Sequence, residues 1–138
     1  MRADTNPALP LTRVNAIRAL RGPQGAVVEV AGPGGQGADV IFRTSSGLVR
    51  REVNSIAGGA QGSLNREVAH AAVQVAYAGE ILVQVPQGTE ARRLLSRFRG
   101  SRRDSAQLEH YQMVHITIVD PAGTVLFEGP LAPREDMA

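Results

Sequence analysis

A chain of 138 residues, 43% hydrophobic and 20% charged, has the size and make-up of one ordinary globular domain, which excludes a disordered or fibrous protein. Cysteine is absent and all 15 basic residues are arginine, so disulfides, thiolate metal sites, cysteine nucleophiles, Schiff-base chemistry and the phosphate-loop lysine are all excluded. The net charge is a modest +2, no apolar run reaches the length of a membrane span, and the start, Met1 to Pro7, lacks the apolar core of a secretory signal. We therefore expect a single domain over residues 1–138 with flexible tails at about 1–10 and 131–138, no membrane partner, and a cytoplasmic site of action.

Thr12 to Leu20 spaces Val14, Ile17 and Leu20 on one side and stops at Gly22-Pro23, which predicts a short amphipathic helix capped by Thr12. Ala26 to Val30 reads as a first strand, and a glycine-rich stretch from Gly32 to Gly37 leads on from it. A hairpin follows: Ala38 to Phe42 and Leu48 to Ile56, joined by a loop centred on Ser45-Ser46 with Gly47 beside it.

That hairpin is where chemistry enters. A two-residue or a four-residue loop pairs Phe42 with Val49 and Asp39 with Glu52, which sets two carboxylates opposite each other. A three-residue loop with Gly47 as a bulge would instead slide the pairing by one and turn Asp39 to the other face from Glu52. At roughly 5 Å and an effective dielectric of about 20, opposed carboxylates repel by about 3 kcal/mol, which a bound divalent cation would offset. The period-two alternation of a strand places Asn54 and Arg50 on the face of Glu52, and Arg51 on the reverse.

A second helix, capped by Ser63 and running to about Ala78, carries the apolar stripe Leu64, Val68, Ala71, Ala72 and Val75. Ala69, Val73 and Ala76 fill another side, so we expect packing on more than one flank. Its polar residues Glu67, His70, Gln74 and Tyr77 share the narrow arc that remains. Glu80 to Val85 is then a strand, followed by a third helix capped by Thr89 with Ala91, Leu94, Leu95 and Phe98 inward. Tyr111 to Val119 and Thr124 to Phe127 form a closing hairpin about the turn Asp120-Pro121-Ala122-Gly123. The order α-β-β-β-α-β-α-β-β implies an α/β fold, a mixed β-sheet flanked by helices.

Arg92, Arg93, Arg97, Arg99, Arg102 and Arg103 crowd into twelve residues, a footprint suited to a phosphate backbone or to a solvated helix face. Gly32-x-Gly34-x-x-Gly37 matches a dinucleotide fingerprint in letters only, since a strand rather than a helix follows it. Gly58-Gly59-Ala60-Gln61-Gly62, before the second helix, could lend amides to an anion or serve as plain loop. His110 and His115 stand an odd number apart on an expected strand and so do not form a metal pair, and nothing local resembles a serine triad.

An acid on the second strand and Glu-x-Asn on the third, within the order α-β-β-β-α-β, resembles the PD-(D/E)xK nuclease superfamily. The run Gly37-Ala38-Asp39-Val40-Ile41, then Arg51-Glu52-Val53-Asn54-Ser55-Ile56, Gln74 on the long helix, and Ile81-Leu82-Val83-Gln84-Val85-Pro86 is similar to nuclease domains at the C-termini of bacterial contact-dependent and other polymorphic toxins. The resemblance covers about residues 13–119. It implies a restriction-endonuclease-like core, and one or two magnesium or manganese ions held by Asp39, Glu52 and the backbone carbonyl of Val53. Glu67 is a weaker candidate ligand, and Gln74 would orient substrate or water. It further implies a nucleic-acid substrate gripped by Arg50 and the arginines around the third helix, and, for a toxin, a cognate immunity protein. The departure is Asn54, where the family usually has lysine: an amide orients but supplies no charge. This is compatible with an active enzyme, with natural loss of activity that leaves a binding module, or with a disarming substitution.

Overall fold

A computed structural model describes residues 10–31, 37–56, 61–100 and 108–133. Among these the chain forms α1 (Arg13–Ala19), β1 (Val27–Val30), β2 (Val40–Thr44), β3 (Gly47–Ser55), α2 (Gln61–Gln74), β4 (Glu80–Gln84), α3 (Ala91–Gly100), β5 (His115–Val119) and β6 (Val125–Pro130), in the expected order. The six strands lie in one sheet in sequence order. The β1–β2, β2–β3 and β5–β6 pairs are antiparallel, whereas β3–β4 and β4–β5 are parallel, as the crossovers through α2 and α3 require.

Period-two alternation divides the central strands between two faces. Ile81, Val83, Ile116 and Ile118 join Val68, Ala71, Ala72 and Val75 of α2 and Ala91, Leu95 and Phe98 of α3 in the main core, with Leu94 packed at its margin. Leu82, Val119 and Val53 face the other way and meet Ala19 of α1. The sheet is thus sandwiched between α2 and α3 on one side and the short α1 on the other.

Several expectations change at the elements. Val14, Ile17 and Leu20 are 43–49% exposed, and α1 docks instead through the fully buried Asn15 and through Ala19. The reason is Gln84, a buried amide in the middle of the sheet whose Oε1 accepts from Asn15 Nδ2 at 2.7 Å and from the Thr12 N–H at 3.0 Å. A buried polar group without partners costs more than exposed valine, so the helix turns its polar edge inward. Thr12 accordingly makes no side-chain cap to its helix.

α2 encloses Ser63 rather than starting after it, and ends at Gln74. The Tyr77 N–H returns to the Ala72 carbonyl at 2.8 Å while Ala76 and Tyr77 take φ of 55° and 56°, which stops the helix one turn early. Val73 is 54% exposed and Ala76 also faces solvent, so the second apolar flank of α2 is not packed. Thr89 bonds back to the Pro86 carbonyl instead of capping α3.

The chain before β5 is helical turn rather than strand, so His110 is outside the sheet. At the far end Leu131 and Ala132 are completely buried, so the packed domain extends beyond the expected start of the tail at 131. The glycine run 32–36, Gly58 to Ala60, and Arg102 and Arg103 lie outside the described residues.

Candidate functional site

The loop between β2 and β3 has two residues: Thr44 pairs with Gly47, and Ser45 and Ser46 make the turn. The Ser46 N–H donates to Thr44 Oγ1, which donates in turn to the Gly47 carbonyl, and Gly47 supplies the φ of 137° that this tight reversal needs. The register follows as Phe42 against Val49 and Val40 against Arg51. One step on, Asp39 stands opposite Glu52, and two hydrogen bonds hold it there. The Asp39 N–H donates to Glu52 Oε1 at 3.1 Å, and Asp39 Oδ2 accepts from the Val53 N–H at 2.9 Å. A residue's N–H and C=O leave a strand by the same edge, so the Val53 carbonyl also faces the Asp39 side.

Glu52 is buried at 7% exposure and Asp39 is half-buried. Burial, then the Asp39 charge, and more weakly the charge of Glu67, push the Glu52 carboxyl up to about 7; the hydrogen bond from the Asp39 backbone opposes this. The pair therefore holds a proton to near neutrality unless a cation takes its place. Asn54 lies against Val83 two pairs beyond Glu52 and Ile81, on the same face, and its Nδ2 is buried with no hydrogen-bond partner among the described residues. A buried donor without an acceptor, beside a raised carboxyl, is an expensive arrangement for packing alone.

Gln74 holds protein rather than open space. Its Oε1 accepts from the Gly37 N–H at 2.7 Å, and its Nε2 lies 3.1 Å from His70 Nε2, so this amide fixes the approach to Asp39. An amide nitrogen can only donate, which makes His70 Nε2 the acceptor. Arg50 is exposed on the Glu52 face, whereas Arg51 turns away as expected. Arg51 packs over the Phe42 ring, bonds Glu80 through Nε at 2.9 Å and Nη2 at 2.6 Å, and donates to the carbonyls of Arg18 and Ala19 at the end of α1.

The basic helix divides by residue. Arg92, Arg93 and Arg97 are exposed, with Arg92 over Phe127 at 5.5 Å and Arg93 within 3.4 Å of Glu90. Arg99 turns inward, donating to the carbonyls of Leu131 and Pro130 at 2.9 Å each, so it closes the C-terminal end of the domain instead of facing a ligand. Sequence reasoning did not find the clamp by Arg51 or the tie from Gln74 to Gly37, because each joins segments whose contact depends on the finished sheet.

Among the described residues no group of three or more histidine, cysteine, aspartate or glutamate side chains is placed to hold a metal ion, and no helix is long and apolar enough to cross a membrane. Two carboxylates and a backbone carbonyl are nevertheless the hard oxygen donors that magnesium and manganese take, usually with water and substrate phosphate completing the shell. No family model matches the chain, and neither the curated proteins nor the solved structures give a significant match.

Proposed function

We propose that this chain is a metal-dependent nuclease of the PD-(D/E)xK type with a restriction-endonuclease-like core, hydrolysing phosphodiester bonds in DNA or RNA. The observation that carries the reading is the opposed Asp39–Glu52 pair with the Glu52 carboxyl raised to about 7. Strand alternation and a two-residue turn bring two acids together where burial makes the Glu52 charge costly, and a divalent cation is the partner that removes the cost. The order α1-β1-β2-β3-α2-β4 with β3 and β4 parallel supports the same reading.

In this mechanism Asp39, Glu52 and the Val53 carbonyl hold magnesium or manganese, which when bound polarises the scissile phosphate and lowers the pKa of water. The chain's own residues do the rest. Asp39 is kept in place by the Val53 N–H and by the approach that Gln74 secures, and Arg50 offers a guanidinium to the phosphate on the Glu52 side. Asn54 can orient the attacking water but cannot neutralise developing charge. A second reading rests on that residue: the same fold as a binding module without hydrolysis.

Purified protein with manganese is expected to nick plasmid DNA or cut RNA, and Asp39→Ala or Glu52→Ala to abolish it. Manganese is also expected to raise the melting temperature of the wild type but not of Asp39→Ala. An inactive wild type that regains cleavage as Asn54→Lys is an impaired nuclease. If neither form cuts but both still gain stability from manganese, the binding module is correct. No manganese stabilisation and no cleavage would end the metal-site reading.

A further inference from the structure

We propose that Tyr77 and His110 form a stacking subsite for an unpaired nucleobase, at the turn where the end of α2 meets the strand carrying Glu52, making single-stranded nucleic acid the substrate class; this rests on the nuclease reading above. Tyr77 is 38% exposed, with its ring centroid 5.5 Å from that of the exposed His110 at an interplanar angle of 44°. Behind it the ring stands edge-on to Tyr111 at 6.0 Å, and Tyr111 stands edge-on to the fully buried Phe98 at 5.4 Å. A column of rings thus runs from the core to the surface and ends in two rings in contact with water.

The backbone is bent to place that ring. Ala76 and Tyr77 both adopt left-handed φ, a conformation that disfavours residues with a Cβ, and a tyrosine occupies it where glycine or asparagine would fit without strain. The turn is also fixed relative to β3. Gly79 is buried, and a Cβ there would collide with the Arg50 carbonyl oxygen and lie 2.8 Å from Val75 Cβ, so the end of α2 presses directly on β3. Arg50 precedes Glu52 by two residues on the same face of β3, about 7 Å along the strand. Arg50 is exposed and adds a positive charge for a phosphate on the Glu52 face.

Aromatic rings bind bases through their faces whatever the base, so the subsite should tolerate any sequence. A duplex keeps its bases stacked on one another and cannot use it. Serving only to stop α2 would not require half-exposed rings.

The test uses the full chain in EDTA with short DNA and RNA oligonucleotides containing 2-aminopurine, whose fluorescence falls on stacking. Wild type is expected to quench the single-stranded probe and to bind it at least tenfold more tightly than the matching duplex. Tyr77→Leu should lose the quenching and bind about tenfold more weakly, while Tyr77→Phe retains both. His110→Ala, at an exposed position, gives the same readout should Tyr77→Leu fail to fold. Unchanged quenching in both Tyr77→Leu and His110→Ala, or equal affinity for duplex, overturns the subsite while manganese-dependent cleavage by the wild type still upholds the nuclease. Absence of both binding and cleavage overturns the two together.

Discussion

Glu52 is a carboxylate on a strand face that is otherwise sealed by Ile81, Val83 and α2, and its acidity records that conflict. Its pKa is higher folded, about 7, than the 4.5 of an ordinary glutamate, so the folded state binds the proton more tightly. The stability this confers is complete below pH 4.5 and is lost as pH rises through about 7. We expect the metal-free melting temperature to fall between pH 5 and pH 8.5, and Glu52→Gln to flatten that fall. Manganese at the higher pH should offset it, since the cation binds the ionised pair. Differential scanning fluorimetry across that range with EDTA or manganese measures both effects. The Asp39–Glu52–Asn54 group was legible beforehand because it needs only a period of two and a turn of two residues. The role of Gln74 was not, since no spacing rule says that a helix residue will meet the N–H of Gly37 in a loop far away in sequence.

Among elements, α1 shows where periodicity misleads. Its valine, isoleucine and leucine at helical spacing read as a buried stripe, yet Asn15 and Ala19 make the contact, because Gln84 needed partners and small residues allow a seven-residue helix to come close. What then fastens the other end of α1 is Arg51, whose guanidinium joins its last carbonyls to Glu80. Arg51→Met is expected to cost about 1–3 kcal/mol, the usual range for removing a charge-assisted hydrogen-bonding group. Hydrogen exchange should show the α1 amides opening first, with those of α2 and α3 protected. Protection of α1 equal to wild type would show that Asn15 alone holds it. By contrast the apolar stripe of α3, Ala91, Leu94, Leu95 and Phe98, was legible, although the inward turn of Arg99 and the missing cap from Thr89 were not. The early end of α2 was hidden because no glycine or proline interrupts the sequence through Ala78, while the chain must turn there to bring Gly79 against β3.

For the whole molecule, the two faces of the sheet divide the work. The α2 side carries the acid pair, Arg50 and the aromatic column; the opposite side carries α1 and its polar anchor. The exposed arginines of α3 give this division a measurable consequence. Replacing Arg92, Arg93 and Arg97 together by glutamine should weaken nucleic-acid binding for every sequence and reduce its dependence on salt concentration. For each phosphate that is no longer neutralised, the log–log slope against salt should shrink by about 0.7 on single strands. Arg99→Gln should leave that slope unchanged and lower the melting temperature instead, because Arg99 bonds Pro130 and Leu131.

The two rims of the sheet are unlike. β1 presents Val27, Val28 and Val30 at 41–65% exposure, whereas β6 ends at a proline and is reached across an irregular register between Ile118 and Val119. Among the described residues the first margin has neither the proline nor the break in register that guards the second against added strands. Copies that meet through the valine margin can pair only like with like, so such self-association is confined to twofold pairs and has no head-to-tail route to an open filament.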